Sequence, residues 1–437
     1  MAVLNASARD TSAPEAADSA EPLTVEAAYA RSECAALADS RVGAVGLEIE
    51  THLVDLDAVA DRVPWDRAAP LPGIIGSITG STVVTLEPGG QVELSGAPAL
   101  DVTAAVTGLR HDQVSARLAL GELRLGLAHA GADPLRPPCR VNPRPRYRAM
   151  AEHYAATGRA RAGAVMMTST AALQVNLQAG PKRGWAQRVA RAHRLGPTLV
   201  AISASSPWLA GGNSGWKSAR QRTWGQLSAG SCGPVPGCVA AGPDADGSLD
   251  PAAAWARFAL RAPVAFIRSA GSEEVTAVCA RVPFQHWASG AVRLGNRAPT
   301  AADLDMHLTT LFPPVRLRGY LELRYLDVAA PRWWPAIAAV VTTLMDDPVA
   351  ADLAIEASEQ AAGLWATAAQ DGLADPRLAA SARRCLDIAA DRVPAGLVSA
   401  VADLAELVES GRCPGDLLAK RISEIGPHAA FGELAHA

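Results

Sequence analysis

Lysine is nearly missing from this 437-residue chain: only Lys182, Lys217 and Lys420 occur, and arginine carries the positive charge. The formal net charge is −4, and no stretch clusters basic residues with interleaved aromatics, which argues against a nucleic-acid surface. No apolar run reaches the ~18 uncharged residues of a membrane span. The first thirty residues lack the basic start and apolar block of a secretory signal. Cysteines stand at 34, 139, 232, 238, 279, 385 and 413, an odd and scattered set. They give no disulfide framework and point to a reducing, cytoplasmic setting.

The usual nucleotide fingerprints are missing as well. Gly211 to Ser218 resembles a phosphate loop, but Trp216 occupies the place of the second glycine before Lys217. No Gly-x-Gly-x-x-Gly follows a strand. Cys232 and Cys238 lack two further ligands at zinc spacing, and no Ser-His-Asp or Cys-His arrangement stands out. His52, His286 and His307 are isolated. His307 opens a helical run, where it either contacts a nucleotide or packs as a core or capping histidine.

What is present is acid on apolar strands. In Val45–His52, alternation puts Glu48 and Glu50 on one face and Leu47 and Ile49 on the other. Leu86–Leu94 carries Glu87 and Glu93 around a Pro88-Gly89-Gly90 turn, and Leu321–Tyr325 puts Glu322 and Arg324 on one face. Like charges side by side on a sheet repel unless a cation lies between them. Glu48, Glu50, Glu87, Glu93, Gln174 and Glu322 therefore form a candidate site for hard divalent cations. The alternative is that each glutamate lies on a wet strand face. So many acids exceed what one Mg²⁺ takes from protein, so two or more ions bridged by a nucleotide fit better. Arg324, aimed at the same place, needs an anion such as a transferred phosphoryl group or a substrate carboxylate, or else pairs with a glutamate.

At 49% hydrophobic, the chain can bury one large catalytic domain or two fused lobes. Residues 1–22 read as disordered, 23–330 as a catalytic domain, and 331–437 as helices packed on the same domain. Helices are expected at 24–38, 101–130, 146–157, 184–205, 251–259 and 301–311. Strands are expected at 42–54, 82–87, 91–95, 164–177, 264–268, 275–279 and 318–328. Residues 55–81 read as a loop-rich crossing, and 206–250 as a long substrate loop. After Pro331, helices are expected at 333–345, 347–370, 376–391, 394–410 and 414–424, with Asp347-Pro348 and Asp375-Pro376 as starts.

These stretches resemble the glutamate–cysteine ligases, in particular the plant-like bacterial branch. The resemblance is carried by Gly46–Glu50, Leu86–Pro98, Met166–Thr170, Gln174–Leu177, His307–Arg316 and Tyr320–Asp327, in family order. The segment Ser214–Gln226, with Arg220, Arg222 and Trp224, looks most like the actinobacterial enzymes that make γ-glutamylcysteine for ergothioneine biosynthesis. The resemblance implies an α+β fold with a glutamine-synthetase-like curved antiparallel sheet, flanking helices and a helical C-terminal third. It implies ATP as co-substrate, two or more Mg²⁺ ions, and the substrates L-glutamate and L-cysteine. No nucleic acid, membrane or required protein partner is expected.

Carried over by position, Glu48, Glu50, Glu87, Glu93, Gln174 and Glu322 would ligate metal, with Glu322 and Arg324 catalytic. Arg220, Arg222, Arg146 and Tyr147 would bind substrate, and Arg316, Arg318 and Asn176 would bind ATP. Gln178 and Arg261 stand where relatives often carry Asp, which bears on substrate fit. The cysteines do not follow the plant enzymes' redox arrangement. A ligase for another amine, or a non-catalytic sensor of the same fold, are the alternatives.

Overall fold

The structure, a computed structural model, describes residues 21–238, 250–269 and 274–436. Eleven strands lie among them: β1 (Val45–Asp55), β2 (Val83–Leu86), β3 (Val92–Ser95), β4 (Leu125–Ala128), β5 (Ala172–Gln178), β6 (Trp208–Leu209), β7 (Gly212–Asn213), β8 (Phe266–Arg268), β9 (Val275–Ala277), β10 (Val315–Leu317) and β11 (Tyr320–Asp327). Seven of them build one sheet in the order β10-β11-β5-β1-β3-β2, with β4 paired to the far end of β1. The pairings along that path are all antiparallel. β6–β7 and β8–β9 are separate two-stranded ribbons.

β1 sits in the middle because it can be buried on both faces. Val45, Leu47 and Ile49 point into the core and are essentially inaccessible. Helices 102–122, 185–203, 334–346 and 376–390 supply apolar side chains to that same core. Every residue of 334–346 except Asp346 is buried, as expected of a helix that is hydrophobic all round. Helix 185–203 carries Gly196 where it meets Trp365; a Cβ there would stand 1.9 Å from the indole. Trp365 in turn meets Tyr325 of β11 edge-on at 5.4 Å. A small residue, an indole and a phenol ring thus key the C-terminal helices to the sheet.

The helix starts read from the sequence have a visible cause. Asp101 accepts from Ala104 N at 2.9 Å, and Asp347 accepts from Ala350 N at 2.8 Å. Asp375 accepts from Arg377 N at 2.9 Å. Each satisfies a helix N–H that has no partner within its own helix.

The expected curved sheet is corrected. The α+β class, the antiparallel sheet and the helical C-terminal region stand, but the sheet is open. Its edge strands β10 and β2, of three and four residues, lie at opposite ends of the path and do not pair with each other. The expected strand 164–177 is a helix, Ala160–Ser169, followed by β5. The Thr168 and Thr170 hydroxyls bond carbonyls four residues back, as helix-turn rather than strand side chains do. The crossing 55–81 holds helices 65–68 and 71–79. The long loop 206–250 holds the β6–β7 ribbon and helices 219–225 and 229–232, while 239–249 lie outside the described residues. The expected helix 347–370 breaks into 348–357 and 365–370, and the last helix runs on to 436 across a kink at Gly426-Pro427. The segment expected to be disordered, 1–22, lies outside the described residues up to residue 20.

Two glycine substitutions separate packing from backbone entropy. Gly196→Ala is expected to lower the unfolding free energy, read from urea titration, by the overpacking cost of about 1–3 kcal/mol. Gly108→Ala, in helix 102–122 with nothing within 4 Å of the new Cβ, is expected to raise stability by about 0.5–1 kcal/mol. Equal effects would contradict this reading.

Candidate active site

The acidic face follows from strand register. Glu48 lies opposite Gln174 on β5 and Ser95 on β3, and Glu50 lies opposite Glu93. Directly opposed residues share a face, with Cα atoms about 4.5–5.5 Å apart. Glu322 on β11 lies opposite Asn176, and Asn176 opposite Gly46. Gly46 leaves room there, since a Cβ on it would come 3.3 Å from that of Asn176. Asn176 Nδ2 donates to Glu48 at 2.8 Å, and Gln174 Nε2 donates to Glu50 at 3.1 Å. Ala172 N also donates to Glu50, at 2.8 Å. Thr85 and Ser95 hydroxyls donate to Glu93 at 3.1 and 3.2 Å.

Glu87 arrives from the turn between β2 and β3. Gly90 takes φ +83°, the left-handed region open to glycine. Gly89 lies so close to helix 160–169 that a Cβ would meet Thr168 O at 2.3 Å. Gln91 braces the turn: its Oε1 accepts from Gly89 N at 2.9 Å and its Nε2 donates to Thr170 O at 2.9 Å. Arg62 ties the same corner, donating to Thr168 O at 2.9 Å, Pro137 O at 3.0 Å and Ser169 Oγ at 3.2 Å. Neither Arg62 nor Gln91 carries a sequence signal of this role, because the bonds that tie the turn to helix 160–169 and its end reach Thr168 O and Thr170 O on a distant segment.

The four glutamates of this face carry unsatisfied like charge. Burial, then Glu93 and Glu322, push Glu48 up to about 7. Burial, then Glu93 and Glu50, push Glu87 up to about 8. Burial, then Glu50, push Glu93 up to about 7, and burial also raises Glu50. Glu322 is the opposite case. Burial raises it, but Arg316 and Arg324 outweigh burial and hold it well below the usual carboxylate range. Arg316 grips it with Nε and, at 2.8 Å, with Nη2; Arg324 lies at 3.3 Å and Arg318 at 3.5 Å.

The remaining expected residues fall in distinct places. Arg220 is buried and donates through Nη2 to Arg324 O at 2.6 Å. Beneath it lies the fully buried Asp327, which accepts from Ser206 Oγ at 2.6 Å, Ser218 Oγ at 2.9 Å and Ser205 N at 3.0 Å. Asp327 closes the Tyr320–Asp327 stretch in the sequence, yet only the fold shows what it holds. Arg146 donates to Thr309 Oγ1 at 3.0 Å and feels Glu87. Burial and then Glu87 raise the Tyr147 hydroxyl. Arg222 is exposed, 5.5 Å over the Trp216 ring and bonded to Ser214 O at 3.3 Å. His307 is a packed histidine, donating to Ala259 O at 2.8 Å and stacked on Phe284 at 5.0 Å. Cys232 and Cys238 are buried and free, as free as the other five cysteines.

The donor set suits a hard cation: carboxylate and amide oxygens only, with four carboxylates raised by burial and one another. Among the described residues no three acid, histidine or cysteine side chains stand close enough to hold one ion as they are. A cation would therefore draw the acids inward. Among the described residues no helix is long and apolar enough to cross a membrane.

A model of glutamate-cysteine ligase family 2 (GCS2) matches residues 44–436. The chain is 47% identical over 433 residues to "Glutamate--cysteine ligase EgtA" of Mycobacterium tuberculosis (strain ATCC 25618 / H37Rv), covering 98% of each chain. It is 48% identical over 412 residues to the enzyme of the same name from Mycolicibacterium smegmatis, covering 94% of this chain and 95% of that one. In fold it is similar to a glutamate–cysteine ligase of Francisella tularensis solved in complex with AMP, with TM-score 0.55 and 13% identity, covering 91% of this chain and 88% of that one.

Stability should report the acid face directly. In the metal-free protein, folding holds protons on Glu48, Glu87 and Glu93 up to about 7, 8 and 7, which the unfolded chain releases near 4.5. Buried His52, His129, His193 and His307, pushed down by burial, oppose this below about pH 6.5; above about pH 7 the folded state binds more protons than the unfolded chain, so Tm is expected to fall as pH rises from about 7 to 8. Mg²⁺ should reverse the fall and raise Tm more at pH 8 than at pH 6; about a hundredfold excess over Kd is worth about 2.7 kcal/mol. A Tm that rises from about pH 7 to 8 and ignores Mg²⁺ would contradict the assignment. Glu87→Gln is expected to raise the metal-free Tm at pH 8 and shrink the Mg²⁺ effect, measured in the same thermal scans.

Proposed function

The chain belongs to glutamate-cysteine ligase family 2, and from that membership we propose that it joins the γ-carboxylate of L-glutamate to the amine of L-cysteine in an ATP- and Mg²⁺-dependent reaction. The product is γ-glutamylcysteine, made in the cytoplasm and destined for ergothioneine. The observation that carries this reading is the single face holding Glu48, Glu50, Glu87 and Glu93 beside the Glu322–Arg324 pair. On this reading residues 23–330 are the catalytic domain and 331–437 pack on it as its helical support.

The chemistry suits a site built of charges. A free carboxylate is a poor electrophile. Attack of its oxygen on the γ-phosphorus of ATP breaks the bond to the β-phosphate oxygen, releasing ADP and leaving γ-glutamyl phosphate. The cysteine amine then attacks the acyl carbon, the bond to phosphate oxygen breaks, inorganic phosphate leaves, and the nitrogen gives up a proton. This needs positioning and charge compensation rather than an activated protein nucleophile.

Glu48, Glu50, Glu87, Glu93, Gln174 and Glu322 would hold two or more Mg²⁺ ions, which supply positive charge against the phosphate oxygens. Arg324 faces the same space and steadies the transferring phosphoryl group. Its side chain already donates to Gln174, which fixes its direction. Arg220 binds a substrate carboxylate, and Arg146 and Tyr147, both beside Glu87, take the same role; Arg222, exposed over Trp216, stands apart from them. Arg316, Arg318 and Asn176 serve the nucleotide, with the Arg316 and Arg318 guanidiniums balancing Glu322. Glu322 is thus a structural counter-ion too, so Glu322→Gln is expected to cost stability by leaving buried arginines short of charge, about 3–5 kcal/mol.

Phosphate release from MgATP, with mass analysis, tests the reading. Release that requires both glutamate and cysteine, with a γ-glutamylcysteine mass, is expected. Release with another amine would reassign the acceptor, and none under any condition would favour a sensor. Arg324→Lys is expected to lower kcat by about 10²–10³ while Tm changes little.

A further inference from the structure

Glu87 is the one acid of the face that does not stand on a strand, and the turn that carries it is gripped from several sides. The turn closes on itself: Glu87 N donates to Gln91 O at 2.9 Å and Gly90 N to Glu87 O at 2.9 Å. The buried Gln91 amide holds it from one side, accepting from Gly89 N at 2.9 Å and donating to Thr170 O at 2.9 Å. Segment 137–142 holds it from another. Val141 N and Asn142 N both donate to Pro88 O, at 2.9 and 3.0 Å, and Asn142 Nδ2 donates to Leu86 O at 2.9 Å. Arg62 joins these two grips, donating to Thr168 O at 2.9 Å and Ser169 Oγ at 3.2 Å on the first and to Pro137 O at 3.0 Å on the second.

None of these bonds uses the Glu87 carboxylate. The backbone at Glu87 is fixed, and only its side-chain torsions remain to bring the carboxylate to a ligand. Burying a glutamine amide and most of a guanidinium costs desolvation and side-chain entropy, yet neither group hydrogen-bonds an acid of the face. Their common effect is on where the turn stands. Divalent cations differ in how much that matters. Mg²⁺ demands near-ideal octahedral geometry at about 2.0–2.1 Å, whereas Ca²⁺ accepts more oxygens, at about 2.3–2.6 Å, in flexible arrangements.

We propose that Gln91 and Arg62 are positioning residues of the cation site, holding the Glu87 turn so that its carboxylate suits Mg²⁺ over larger divalent cations such as Ca²⁺. This rests on the reading of the acid face as the Mg²⁺ site. Gln91 sets the distance of the turn from the end of helix 160–169, and Arg62 sets the spacing of that end from segment 137–142. Loosening either lets Glu87 drift, which weakens a rigid octahedral ion and leaves a flexibly bound one able to follow.

The test is calorimetric binding of Mg²⁺ and of Ca²⁺ to the full chain, without nucleotide or amino acids, read as the ratio of the two Kd values. Gln91→Met keeps the length of the side chain and loses both bonds. The expected result is a Mg²⁺ Kd raised about tenfold or more, as for other groups that orient metal ligands, with the Ca²⁺ Kd within about threefold. Arg62→Lys keeps the charge beside Asp133 but loses the fork, and is expected to shift the ratio the same way. It also carries the test should Gln91→Met not fold. Gly196→Ala, at the Trp365 contact, controls for lost stability alone and is expected to leave the ratio unchanged. A Mg²⁺ Kd within about twofold of wild type, equal weakening of both ions, or the same shift in Gly196→Ala would overturn the proposal. An unchanged ratio in one variant alone removes that residue from the role. Wild type that binds neither ion would overturn the metal reading itself, an outcome distinct from a Mg²⁺-binding wild type whose variants keep its ratio.

Discussion

Repulsion among carboxylates on one side of an antiparallel sheet is the constraint that the rest of this molecule answers to. Glu50 and Glu93 are directly opposed, Glu48 lies two residues along, and Glu87 leans in from the turn. Exposed acids at such spacing would relax into water. These cannot, because β1 is fixed on its other face by Val45, Leu47 and Ile49 in the core. The strong register of a half-apolar strand therefore keeps the acids together. Burial and mutual repulsion push Glu48, Glu87 and Glu93 up, which favours their protonated forms.

The same face shows the second way to balance a buried acid. Glu322, two strands from Glu48, is matched by Arg316, Arg318 and Arg324 and stays ionised. The contrast gives the site a gradient: arginine-rich at the β10–β11 edge and acid-rich across β1 and β3. The junction is Arg324, which contacts Glu322 and Gln174 together and whose carbonyl holds Arg220. Asp327, with Ser206 and Ser218, carries that junction one layer deeper and links it to helix 219–225.

Much of this was legible from the chain. Alternation in Val45–His52 and Leu321–Tyr325 named the face of each acid, because strand side chains have a period of two. Asp-Pro pairs named helix starts, because the aspartate caps and the proline needs no N–H. The strand assigned to 164–177 failed where Thr168 and Thr170 bond their own helix backbone, which an alternation rule cannot see. The curved sheet failed because closure depends on whether edge strands meet, a property of the whole path rather than of any strand. Arg62, Gln91 and Asp327 stayed silent because their partners lie tens of residues away: Arg62 reaches Thr168, Gln91 reaches Thr170, and Asp327 reaches Ser206.

The most direct measurement of the central claim is the number of protons released when Mg²⁺ is added to the metal-free protein in a weakly buffered solution at pH 7. Glu48, Glu87 and Glu93, at about 7, 8 and 7, are partly protonated there, and a cation bound by their oxygens must displace those protons. The account expects release of about one proton or more per chain at pH 7, vanishing by about pH 10. Saturable Mg²⁺ binding with no proton released at pH 7 would contradict it, and would place the cation away from the acidic face of β1 and β3.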